Sequence, residues 1–136
     1  MSIFGRPMVS GLAGIDDRTT LSSLVRRIAR GDKTAFHQLY TSLHSAVRED
    51  AAGILSRGAD VPAVVSSTFV EVWWLARHHT GTDVRAWIAG IVAFRAHERE
   101  RGPAADESAA DDSHVDLARL LGESATSVRA RCALSA

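Results

Sequence analysis

The sequence predicts an all-α protein, in which a compact four-helix bundle is followed by a disordered acidic linker and a short helical remnant. Only three of the 136 residues are proline and hydrophobic residues make up 46%, so helix breakers are rare and there is enough apolar material for a core. Four successive segments place apolar residues three and four positions apart, which is the period of one helix face. Residues that cap or end helices stand between these segments.

The first two predicted helices meet at Gly31 and Asp32. Apolar residues at helical spacing follow Thr20, and Gly31 is suited to end that helix. Asp32 is suited to cap the second helix, because its side chain can accept hydrogen bonds from free amides of the first turn. The second helix is expected to run to about Leu55. Its apolar stripe comprises Ala35, Phe36, Leu39, Tyr40, Leu43 and Val47.

The third and fourth helices are predicted from a proline and a second cap. Pro62 fits the first turn of a helix, where its missing amide is no loss, and this helix is expected to end near Ala76. Thr82 or Asp83 can cap the fourth helix, which carries an apolar face and then a strongly charged end at Arg101.

Composition divides the chain into four parts. Residues 1–19 are expected to be a flexible leader because glycine and small residues predominate. Residues 20–101 form the helical domain. Residues 102–114 carry four acids and no lysine or arginine, which predicts a disordered acidic linker. Residues 115–136 are again helically patterned.

Several function classes are disfavoured. The single cysteine, Cys132, allows no internal disulfide framework and fits a reducing compartment. The sequence shows no secretory or membrane-spanning apolar run, so a cytoplasmic location is expected. It contains no phosphate-binding loop or other catalytic motif, so we predict no enzyme activity and no cofactor. His78 and His79 are adjacent, a poor arrangement for chelation, so no metal site is predicted and a solvated or nucleic-acid-contacting loop is favoured. A net charge of zero argues against nonspecific coating of DNA.

Three motifs together resemble one protein family. The segment GDKTAFHQLY, residues 31–40, resembles the opening of the conserved region 2 of extracytoplasmic-function sigma factors, G-D-x-x-A-F-x-x-L-Y. The segment TFVEVWWLA, residues 68–76, resembles the family's F-x-x-V-W helix. The segment VRAWIAGIVAFRAHERER, residues 84–101, resembles its promoter-reading helix. Order and spacing are intact over about eighty residues.

The resemblance implies a protein that initiates transcription by binding. The third helix would dock on the clamp of core RNA polymerase, and the fourth helix with the preceding loop would melt the minus-ten promoter element and hold flipped bases. The implied polymerase-binding residues are Asp60, Ser66, Ser67, Val70, Glu71 and Trp74. The implied DNA-binding residues of this domain are Arg77, His78, His79, Arg85, Arg95, Arg99 and Arg101. Trp74 follows the core-facing Trp73 directly and is expected to point away from the core.

Departures from the family pattern support an alternative hypothesis. The family's D-A-E-D-x-x-Q-E is replaced by DVPAVVSS over residues 60–67, which leaves only the first acid. The family's A-R-N is replaced by Val92-Ala93-Phe94. Losing charge-assisted contacts weakens docking. The alternative is therefore a non-initiating regulator that binds polymerase, an anti-sigma protein or another sigma-type partner.

The C-terminal segment, VDLARLLGESATSVRARCALSA, resembles the helix-turn-helix of the family's region 4. Ala118, Gly122 and Val128 have the spacing of the small residue, the turn glycine and the buried β-branched residue. Two short helices bury too little surface to fold alone. The segment is therefore either completed by docking or by a partner, or, as we favour, a remnant that frays or packs as an extra helix. In the helix-turn-helix interpretation, the residues facing DNA are Ser127, Arg129 and Arg131.

Overall fold

The computed structural model describes residues 9–79, 83–102 and 107–133, and this part of the chain is all-α. It contains helices and turns and no β-strand. None of the described helices is long and apolar enough to cross a membrane. The six α-helices are α1 (Val9–Ile28), α2 (Lys33–Ile54), α3 (Val61–Leu75), α4 (Val84–Arg101), α5 (Glu107–Leu121) and α6 (Ala125–Ala133).

The predicted boundary between α1 and α2 is confirmed. Gly31 adopts a φ of 89°, which glycine reaches without the steric penalty that other residues would meet. Asp32 then caps α2, with its Oδ1 accepting a hydrogen bond from the Ala35 amide at 3.1 Å. This amide, together with the nearby Arg27 side chain, lowers the pKa of Asp32.

The aromatic residues of the first two motifs pack against one another between α2 and α3. Phe36 and Trp73 meet edge-on with ring centroids 5.5 Å apart. Tyr40 and Phe69 do the same at 4.9 Å. Edge-to-face pairs of this kind add about 0.5–1.5 kcal/mol to area burial, so the motif residues form the centre of the core.

Helix α3 is central, because it is buried on opposite sides. Val64 and Ser66 are two positions apart, which places them about 160° apart around the helix axis. Both residues are nevertheless buried, because Val64 is 3% exposed and Ser66 is 0% exposed. Helices α2 and α4 cover one side, and α5 and α6 pack against another. A helix that is apolar around most of its circumference requires such cover on several sides.

Two predicted boundaries differ from the structure. Helix α1 begins at Val9, so residues 9–19 are helical and not a flexible leader; Pro7 is the last strong breaker before it, and interior glycines cost only about 1 kcal/mol each. Helix α5 begins at Glu107, so residues 107–114 are helical and not a disordered linker. Acids at a helix N-terminus interact favourably with its dipole. Residues 1–8 and 103–106 lie outside the described part.

The C-terminal pair α5–α6, which we call the hairpin, packs on the first four helices and is not frayed where it is described. Gly122 ends α5 with a φ of 71°, as the sequence predicted. The Ser124 hydroxyl caps α6 by accepting a hydrogen bond from the Ser127 amide at 3.1 Å. Leu117 and Val128 are both 0% exposed. The hairpin therefore docks through an apolar face onto the domain that precedes it.

Candidate functional site

The six predicted polymerase-binding residues occupy two different environments. Asp60 and Ser66 are buried. The Asp60 carboxylate accepts hydrogen bonds from Arg57 Nε at 2.8 Å and from Arg99 Nε at 3.3 Å. This arrangement ties the turn before α3 to the end of α4. Asp60 is therefore occupied by contacts within the chain and is not presented to a partner.

Ser66 is covered by α5. Its Oγ shares a hydrogen bond with His114 Nδ1 at 2.7 Å, and His114 is itself 3% exposed. Burial away from water lowers the pKa of His114, because the charged imidazolium loses its hydration. The contact is thus a buried polar link between the hairpin and α3.

The other four predicted residues, Ser67, Val70, Glu71 and Trp74, line one groove. The groove has a volume of about 480 Å³ and lies between α3, α4 and α5. Trp74 is 60% exposed, as expected from its position after the half-buried Trp73. The remaining lining residues are Leu75, Arg95 and Ser113.

Arg95 links this groove to a second exposed aromatic residue. Its guanidinium donates to Glu71 from Nε at 2.7 Å and also from Nη2, and to Glu98 from Nη1 at 3.3 Å. Its Cζ lies 5.9 Å from the centroid of the Phe94 ring, and Phe94 is 58% exposed. Trp74 and Arg95 line the same groove, and the Arg95 guanidinium lies over Phe94. We call these three residues the aromatic surface.

Phe94 is a surface residue that the sequence does not single out for binding. Its only signal is that a large apolar residue replaces the family's amide. Exposed aromatic residues and arginine are the types enriched at the centres of protein interfaces. Because two carboxylates neutralise Arg95, the aromatic surface fits a protein partner better than a phosphate backbone.

The DNA-binding residues predicted for residues 77–101 also fall into two groups, those held by contacts within the chain and those exposed to solvent. Arg95 and Arg99 are held in ion pairs with Glu71 and Asp60. His79 is half-buried and stacks on Trp87, with ring centroids 4.3 Å apart. Four members are exposed. Arg77 and His78 lie in the short 3-10 helix Ala76–His78 that follows α3, and Arg85 and Arg101 lie at the two ends of α4.

Arg85 also borders a cavity that is larger than the groove. This cavity has a volume of about 640 Å³ and lies between α1, α2 and the start of α4. Its walls are mainly apolar, and its charged lining residues are Asp50, Asp83 and Arg85. Asp83 caps α4 by accepting the Ala86 amide at 3.0 Å, so it already has a structural role.

The residues predicted to read DNA from the C-terminal segment are arranged differently from one another. Ser127 is exposed. Arg131 faces the first domain, because its Cζ lies 5.6 Å from the Tyr40 ring centroid. Its Nη1 also pairs, at 3.2 Å, with Oε2 of Glu123 in the turn between α5 and α6. The side chains of Arg129 and Cys132 lie outside the described part of the structure.

Within the residues that the structure describes, no three potential metal ligands come together. Comparison of the chain with protein-family models gives no match, and comparisons with curated proteins and with solved structures give none either.

Proposed function

We propose that this chain is a sigma-factor-like transcription protein that binds core RNA polymerase through the groove on α3 and minus-ten promoter DNA through cations near α4. The observation that carries the proposal is the convergence of four predicted polymerase-facing residues, Ser67, Val70, Glu71 and Trp74, on one groove. The resemblance and the position of Trp74 after a core-facing tryptophan predict these four residues at the polymerase contact. The groove includes a largely exposed tryptophan, a residue type that is enriched among the hot spots of protein interfaces.

The DNA part of the proposal rests on a smaller set of side chains. Arg77 and His78 lie in the 3-10 helix that follows α3, Arg101 ends α4, and all three are exposed. None of them forms an ion pair with a residue of the described part. Exposed arginines attract a phosphate backbone by releasing its counterions.

A second candidate is favoured by the buried members of the predicted site. Asp60 and Ser66 are occupied within the chain, and Arg95 and Arg99 are neutralised by carboxylates. A protein with these contacts retains the groove on α3 for a protein partner. It has few unpaired positive charges with which to bind the single strand of a melted promoter. The second candidate is a non-initiating regulator that binds polymerase, an anti-sigma protein or another sigma-type partner.

The test measures binding and transcription separately. The full chain is mixed with core RNA polymerase, co-migration is measured, and run-off transcription is measured from a promoter with a pre-opened fork. Trp74→Ala should weaken co-migration about tenfold or more, as truncation of an interface hot spot does. Val115→Ala is the matched control, since Val115 is exposed and is not among the groove residues.

Each outcome separates the candidates. Binding together with run-off product supports the initiating protein. Binding without product supports the regulator and contradicts initiation. Failure of the unmodified chain to co-migrate contradicts polymerase binding in either form, and equal binding by Trp74→Ala contradicts the groove as the contact.

A further inference from the structure

The outer side of α3 is covered by this chain's own C-terminus. Ser66 lies on the side of α3 away from Val64, and the hairpin shields it through His114. The groove beside it ends at Ser113, the residue before His114. The surface available to a partner on α3 is therefore limited by the position of α5.

Among the described residues, the hairpin is held by an apolar seam and by polar contacts, including three that join it to α2 and α3. The seam consists of side chains that belong to the same core cluster as α2 and α3. The three polar contacts are Ser66 with His114, His37 Nε2 with Glu123 Oε2 at 3.5 Å, and Arg131 over Tyr40. The buried hairpin residues of the seam are Leu117, Ala118, Leu121 and Val128.

The four preceding helices have a core that does not depend on the hairpin for its centre. The pairs Phe36–Trp73 and Tyr40–Phe69 join α2 to α3, and Arg95–Glu71 joins α3 to α4. The hairpin follows these helices in the chain, so it can leave α3 without any other helix crossing it. Units of this kind open at a lower free energy than the whole domain.

We propose that the α5–α6 hairpin is a detachable cover that competes with a protein partner for the outer side of α3. When it leaves, Ser66 joins the groove formed by Ser67, Val70 and Glu71, and the partner gains a longer contact along the helix. The partner is the core polymerase, so the competition rests on the proposed function. The detachment itself does not.

Competition has a quantitative consequence. A partner that binds only the open form shows a dissociation constant raised by the inverse of the open fraction. If the hairpin is open in about one molecule in ten, forcing it open tightens binding about tenfold. The change in affinity therefore reports the fraction of molecules in which the cover is closed.

The test uses two full-length variants that introduce the same charge into α5. Leu117→Asp places a carboxylate in the seam, where Leu117 is 0% exposed, and Val115→Asp places one where Val115 is 42% exposed. Amide hydrogen exchange is measured for both variants and the unmodified chain, followed by binding to core polymerase. In Leu117→Asp, the amides of α5 and α6 should lose protection while those of α2, α3 and α4 keep it.

Binding then distinguishes the cover from the proposed function. Tighter binding by Leu117→Asp, with Val115→Asp equal to the unmodified chain, supports the cover. Equal binding by all three contradicts the cover and leaves polymerase binding supported. No binding by any of them, with α5 and α6 unprotected only in Leu117→Asp, contradicts the proposed function and supports detachment. Loss of protection in all helices of Leu117→Asp means that the hairpin is an integral part of the fold, and the cover is overturned.

Discussion

Arg95 on α4 donates two hydrogen bonds to the carboxylate of Glu71 on α3, one of them from Nε at 2.7 Å. Arg99, one turn later, pairs with the buried Asp60. Both arginines thus hold α4 against other parts of the domain. The sequence places them among the DNA-binding candidates on equal terms with Arg77 and Arg101, but the structure separates the two pairs.

The first prediction concerns the salt dependence of binding to single-stranded DNA. The double variant Arg77→Ala, Arg101→Ala should make the slope of log K against log salt shallower by about 1.4, as expected for the loss of two phosphate contacts. The double variant Arg95→Ala, Arg99→Ala should leave the slope nearly unchanged, because these side chains are already paired. The slope is measured by fluorescence titration over a salt series at a temperature where both variants are folded. The reverse order of the two effects would contradict the assignment.

The second prediction is that Asp60 stabilises the fold. Asp60 is 4% exposed and accepts hydrogen bonds from two arginines. Asp60→Ala should lower the free energy of unfolding by about 1.5–3 kcal/mol, the range for hydrogen bonds to charged groups. Urea denaturation followed by circular dichroism measures the change. Asp112→Ala, which removes an exposed carboxylate on α5, is the control and should change stability by about 0.5 kcal/mol or less.

Local signals allowed much of the fold to be predicted from the sequence. Asp32 and Gly31 mark a helix boundary through the backbone chemistry of adjacent residues, and the structure has that boundary. Pro62 and Gly122 likewise lie where a helix begins and ends. Such features depend on a few neighbouring residues, so the sequence contains what is needed to predict them.

Long-range contacts were not predictable in the same way. The sequence gives no sign that Ser66 of α3 is buried. Only docking of α5 buries it against His114, which lies 48 residues later in the chain. The same docking favours helix in an acidic segment that composition alone assigns to a disordered linker. The groove could be predicted in part, because Trp74 follows a core tryptophan. Phe94 could not, because its exposure depends on how α4 is rotated against α3.

The third prediction separates core aromatic residues from surface ones. Phe36 is 0% exposed and packs edge-on against Trp73. Phe36→Ala should destabilise the domain by about 3–5 kcal/mol, the range for removing a buried aromatic side chain. Phe94→Ala removes the same atoms from a side chain that is 58% exposed and should cost about 0.5 kcal/mol or less. Chemical denaturation of both variants is the measurement, and equal losses would contradict the placement of the core.

The fourth prediction is that the hairpin docks less strongly in acid. Burial lowers the pKa of His114 from its usual 6.5, so the detached hairpin binds a proton more readily than the docked one. The contribution of His114 to the free energy of docking is therefore fully present above about pH 6.5. It decreases as the pH falls from 6.5 to the pKa of His114 in the docked hairpin, by at most about 1.4 kcal/mol per pH unit. The pKa of His44 is lowered first by burial and also by the charge of Arg131 on α6, and the Arg131 contribution acts in the same direction. His37 on α2 also contacts the hairpin, with its Nε2 3.5 Å from Glu123 Oε2.

His114→Asn isolates the contribution of His114 from that of His44. An asparagine amide can still hydrogen-bond to Ser66 but does not titrate in this range. Amide exchange of α5 and α6 is measured between pH 5.0 and 7.5 and corrected for the intrinsic pH dependence of exchange. The opening free energy of the unmodified chain should fall more steeply toward pH 5 than that of His114→Asn, and the two should run parallel above pH 6.5. Parallel curves over the whole range would show that His114 does not change its protonation when the hairpin leaves α3.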